Sequence, residues 1–231
     1  KGRQGFTLME LLVVLLIIGI LSTVAIRTID ATRDRSLFEQ TTKEMNQLVQ
    51  AITGNPDMTY DGRRVDFGFY GDMGRLPNDL RELTHDPGDS TWRGPYVRQM
   101  VSGDTAGYLL DGWGHDYEYN PTTGAIASFG NGKYTLTVRV ADALVQLYDN
   151  TISGTITDAD DNPPGVRAPK ISVTLYYSSG KTPKFTSPDP GGYYQISISD
   201  TTPYDSVPIG THRLVAKMGD SLWRSDSITR W

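Results

Sequence analysis

One carboxylate stands where chemistry is costly. From Phe6 to Ile26 the chain is nearly all apolar, yet Glu10 lies inside the run. A charged side chain at the centre of a lipid-embedded helix costs roughly 2.5–3.5 kcal/mol, and less near its ends. Such a residue needs a compensating charge or a function. Glu10 lies four residues beyond Phe6, a spacing that puts both on one helical face.

Other reactive residue types form no recognisable set. The three histidines, His85, His115 and His212, are scattered and match no metal-ligand spacing. Cysteine is absent, which excludes thiol nucleophiles, thiolate metal sites and disulfides. Neither a Gly-x-Ser-x-Gly elbow nor a phosphate-binding Gly-rich loop occurs. The residues therefore point away from an enzyme. A net charge of −5 and a pI near 5.2 likewise disfavour a nucleic-acid partner.

The element that carries Glu10 has three readings. Lys1 and Arg3 supply the basic start of a cleavable secretory signal, with Ser22, Thr23 and Ala25 as its cleavage region. The apolar run, about 21 residues, instead suits a membrane-spanning helix, which needs roughly 20. The third reading rests on Gly5-Phe6-Thr7-Leu8-Met9-Glu10 followed by an apolar helix. This stretch resembles the type IV pilin and pseudopilin family.

The resemblance implies a short leader, residues 1–5, cut after Gly5 by a prepilin peptidase. Phe6 becomes the N-methylated terminus, and Glu10 forms the assembly salt bridge with a neighbouring subunit's amine. It also implies a bacterial inner-membrane protein, single-pass, with its C-terminal domains in the periplasm. Implied partners are the chain itself, other pseudopilins, an inner-membrane assembly platform and membrane lipid. Arg27 stands where many such proteins carry a helix-kinking proline.

Beyond the apolar run, Leu37, Phe38, Thr41, Met45, Leu48, Val49 and Ile52 recur at helical spacing. Gly54-Asn55-Pro56 is a stop. An assembly helix over 6–53 is expected, with 6–26 in the membrane. Residues 55–74 read as a structured loop, and Asn78 as the N-cap of a short helix containing Leu80 and Leu83. Three strands are expected at His115–Asn120, Ala125–Phe129 and Lys133–Val140, separated by Gly-containing turns. Together, 54–140 would form a globular domain around a small antiparallel sheet.

Within it, Leu76-Pro77, Trp92-x-Gly94-Pro95-Tyr96, Asp111-Gly112-Trp113-Gly114 and Ser128-Phe129-Gly130 follow one another in an order that resembles the major pseudopilin of type II secretion. That resemblance implies a structural subunit of a pseudopilus used in protein export. A type IV or minor pilin, and a membrane-anchored binding protein that never polymerises, remain as alternatives. It also raises calcium as a ligand. However, the segment after Ser128 has no Asp or Glu before Asp142, and calcium takes about six or more oxygens. Asp111 and Asp116 read as solvated turn residues. No cofactor is expected.

Residues 141–150 read as a linker or short helix. From 151 to 231 short alternating strands are expected: Ile152–Ile156, Ile171–Tyr177, Tyr194–Ile198, His212–Met218 and Leu222–Arg230. Their turns, Pro190-Gly191-Gly192 among them, make the segment similar to carboxypeptidase-regulatory-like, transthyretin-like β modules, with a fibronectin-like or Ig-like sandwich as the alternative. Asp158-Ala159-Asp160-Asp161-Asn162 fails as an EF-hand, because Pro163 and Pro169 hold the places of the required Gly and Glu. The whole chain is thus expected to be α+β: a long helix on a small sheet, then a separate β-sandwich.

Overall fold

The computed structural model describes residues 7–97, 107–197, 207–219 and 221–230; for 23–28 and 221–230 only the backbone is described. One helix, α1 (Leu8–Thr53), runs 46 residues, about 69 Å at 1.5 Å per residue. Thr7 caps it, its hydroxyl accepting from the Glu10 amide at 3.3 Å. The helix stops at Gly54, which has a φ of 83° and whose added Cβ would collide with the Asp66 carbonyl. No basic residue lies in the last turn of α1. Arg64, from the hairpin that follows, donates to the Thr53, Gly54 and Asp66 carbonyls instead. A cation at a helix C-terminus also suits the helix dipole.

The expected loop at 55–74 is in fact ordered secondary structure. It contains a hairpin, β1 (Thr59–Tyr60) and β2 (Arg63–Arg64), then a short helix, α2 (Gly68–Met73). Six residues give too few turns for a readable helical period, which explains the misreading. The cap of the next helical turn also needs correcting. Leu80–Leu83 is a 3-10 turn whose N-cap is Asp79, accepting from the Arg81 amide at 2.7 Å. Asn78 instead donates its side-chain amide to Glu82.

Strands β3 (Glu118–Asn120), β4 (Ala125–Ser128) and β5 (Leu136–Arg139) form the antiparallel sheet in sequence order, within the expected ranges. The central pair, Ile126 opposite Val138, faces α1, and Ile126 is fully buried. Thr41, Met45, Leu48 and Ile52 form the buried stripe of α1, at i, i+4, i+7 and i+11. They share one core with Phe69, Leu80, Leu83, Tyr117 and Ile126.

The C-terminal third holds β6 (Ile152–Thr155), β7 (Ile171–Tyr176), β8 (Lys184–Thr186), β9 (Tyr193–Ile196), β10 (Gly210–Met218) and β11 (Ser221–Arg230). One antiparallel sheet runs β11-β10-β7-β8, and β6 pairs with β9. Ile152, Leu175, Ile196 and Val207 join the two sheets in a common cluster. Strand β8 was not expected; its three residues lack readable alternation. The expected short helix at 141–148 is a 3-10 turn, Leu144–Leu147.

The separation expected between this third and the rest does not hold. Ile209, just before β10, is 4% exposed and belongs to the core around α1. Its amide donates to the Leu147 carbonyl at 2.8 Å. Ser178 donates to the Gly71 carbonyl at 2.6 Å, and Gly71 and Gly210 meet backbone to backbone. Burying an isoleucine side chain is worth about 1.5–3 kcal/mol, so the C-terminal sheets are docked rather than tethered.

Candidate assembly helix and its docking site

The first half of α1 is exposed along its whole described length. Every large apolar side chain from Leu8 to Leu21 is at least 43% exposed. Such an all-round apolar helix must be covered by lipid or by other protein. Among the described residues, no helix is long and apolar enough to cross a membrane. The apolar part with described side chains, Leu8–Ser22, covers about 22 Å of rise, against a hydrocarbon core of about 30 Å. Phe6 and residues 23–26 of the expected span, and Arg27, lie outside the described side chains.

Glu10 sits at the third helical position, with Thr7 as cap. Thr-x-x-Glu is the capping-box pattern, and the Thr7 half of it is formed. A carboxylate in a first turn is also favoured by the helix dipole. Glu10 is exposed and makes no ion pair among the described residues. Gly5 and Phe6, the expected cleavage and methylation positions, lie outside the described residues.

The second half of α1 is held by a hub that sequence reasoning missed. Asp111, expected to be a solvated turn residue, has a side chain that is fully buried. Its Oδ1 accepts from the Trp113 and His115 amides, at 3.0 and 2.9 Å. Its Oδ2 accepts from the Ser128 hydroxyl at 2.6 Å. Burial alone would raise the carboxyl pKa. The hydrogen bonds from Ser128, His115 and Trp113 outweigh it, leaving the group below its ordinary value.

Asp111 thereby shapes the turn that carries Gly112. The Gly112 amide donates to Thr41 Oγ1 at 2.9 Å, on the buried stripe of α1. A Cβ on Gly112 would come within 2.8 Å of the Leu37 carbonyl, so only glycine allows this approach. Trp113 stacks on Tyr134, which meets Phe38 of α1 edge-on at 5.7 Å. Asn131 donates to Asp34, and Tyr117 donates to Glu44 at 3.1 Å. The Asp-Gly-Trp-Gly and Ser-Phe-Gly stretches, distant in sequence, therefore meet at one clamp on α1. Asp116, by contrast, is exposed as expected.

These residues do not fit calcium. The loop after Ser128 places Asn131 Oδ1 on the Lys133 amide and brings Lys133 over Tyr134. Among the described residues, no three His, Cys, Asp or Glu side chains converge on a metal-sized site. In the 158–162 turn, Asp158 Oδ1 accepts from the amides of Asp160 and Asn162 within its own loop. The histidines sit at three separate places: His85 beside Thr84, His115 beside Asp111, His212 bonded to the Pro208 carbonyl.

Two comparisons with known proteins bear on this geometry. Residues 1–26 match the family described as the prokaryotic N-terminal methylation motif. The chain therefore carries an N-terminal methylation motif. It is also similar to the type II secretion system core protein G of Xanthomonas campestris pv. campestris, 28% identical over 119 residues. That alignment covers 51% of this chain and 68% of the relative. No solved structure matches the chain.

Proposed function

We propose that this chain is a pseudopilin subunit that polymerises through its N-terminal helix into a type II secretion pseudopilus. The observation that carries this reading is the contrast within α1. Its first half is apolar all round and exposed, with one carboxylate, Glu10, that makes no ion pair among the described residues. Packing helix against helix in a fibre covers the apolar surface and brings a neighbour's terminal amine to Glu10. Before assembly, lipid of the bacterial inner membrane covers the same surface, with the clamp and sheets in the periplasm.

The relative's name supports secretion rather than a surface pilus, as does the run of motifs that the clamp unites. The processing steps, cleavage after Gly5 by a prepilin peptidase and methylation of Phe6, act on the chain rather than being performed by it. An inner-membrane assembly platform and other pseudopilins are the remaining proposed partners. Mass spectrometry of protein purified from the native cell tests the reading. A methylated Phe6 at the N-terminus is the expected result; a chain still beginning upstream of Gly5 would mean a simple anchor.

A further inference from the structure

Where the C-terminal sheets dock, they leave a cleft of about 570 Å³ against the first domain. This lies within the roughly 300–1,000 Å³ of small-molecule sites, which often form at domain interfaces. One wall comes from α2 and the segment around Tyr96, the other from β7 and β10. Because Ile209 and the Ser178–Gly71 hydrogen bond fix the two walls together, the cleft is preformed.

Its lining is mainly polar, with donors and acceptors on both walls. Asp72 is half-buried and accepts from the Tyr96 hydroxyl at 2.9 Å, through Oδ2. Burial pushes its carboxyl pKa up, an effect that Tyr96 and Arg93 only partly offset. Opposite, Arg213 and Tyr176 are register partners on β10 and β7, and the guanidinium lies 4.6 Å from the ring centroid. A guanidinium over a phenol ring gains a cation–π attraction and, with five N–H donors, keeps donors for other partners.

Among the described lining residues the charges balance. Asp66 and Asp72 stand against Arg93 and Arg213, and Asp66 is already engaged by the Asn55 and Gly68 amides. A cleft without net charge selects neither a phosphate nor a cation. Its described lining is mostly polar and sets the Asp72 acceptor and the Arg213 donors among tyrosine rings. That combination suits a neutral ligand dense in hydroxyl groups. We propose that the inter-module cleft binds a neutral oligosaccharide, with Asp72 accepting from its hydroxyls and Arg213 donating to them. This site is independent of whether the chain polymerises.

The test uses the full chain in detergent on an array of immobilised neutral and anionic oligosaccharides. Neutral glycans should be retained, and both Asp72→Asn and Arg213→Ala should weaken that binding at least tenfold while leaving the melting temperature unchanged. Arg213 is exposed, so its variant decides the matter if Asp72→Asn fails to fold. The proposal is overturned if no neutral glycan binds, if anionic glycans are preferred, or if Arg213→Ala binds as the parent does.

Discussion

The two halves of α1 share one continuous helix and differ in what they are built to meet. From Leu8 to Leu21 the apolar residues fall on all sides and all are exposed. From Thr41 to Ile52 they fall on one stripe, and that stripe is buried in the chain's own core. The first half is written for other molecules and the second for its own domain. A rod joined this way transmits the position of its N-terminal end to the sheets through one continuous helix.

The sharpest way to break this comparison is to truncate one residue in each half. Met45→Ala should cost about 2–5 kcal/mol of stability, because it opens a cavity in a packed core. Leu15→Ala in detergent should stay within about 0.5 kcal/mol, as expected of an exposed residue outside the core. Thermal melting of the two variants checks this, and equal losses would erase the distinction.

Ile209→Ala extends the comparison to the docked third. It should cost about 2 kcal/mol or more, and should also loosen the C-terminal sheets. Hydrogen exchange at the Ile209 amide, bonded to Leu147, reports the docking directly. Unchanged protection there would restore the picture of a tethered module.

Asp111→Asn probes the clamp and should cost about 1–3 kcal/mol through its buried hydrogen bonds. The sign with pH follows from the lowered carboxyl pKa. The stabilisation from ionised Asp111 is fully present above the unfolded carboxyl value, about 3.9. It is lost as pH falls through the lower folded value. Melting curves of parent and variant should therefore converge in that acidic window. The smallest effect belongs to the exposed Arg35–Glu39 pair on α1, where Arg35→Ala should change stability by no more than about 0.5 kcal/mol.

Much of this was legible in the residues themselves. The stripe on α1, the stop at Gly54 and the strands around Ile126 and Val173 follow from period and turn chemistry. Asp111 was not legible as a hub. Its partners are the Ser128 hydroxyl and nearby amides, and nothing in an Asp-Gly pair distinguishes a buried carboxylate from a turn in water. The docking through Ile209 was hidden for a related reason: one apolar residue after a proline carries no period. The motif Asp-Gly-Trp-Gly was visible, but its contact with Thr41 spans 71 residues.

The central claim is that Glu10 exists for a neighbouring subunit. Fibre assembly by full-length Glu10→Ala, expressed with the secretion machinery and compared with the parent, tests it most directly. The expected variant is cleaved after Gly5 and folds to the same melting temperature, yet is absent from the sheared fibre fraction. Fibres from the variant in normal amount would contradict it.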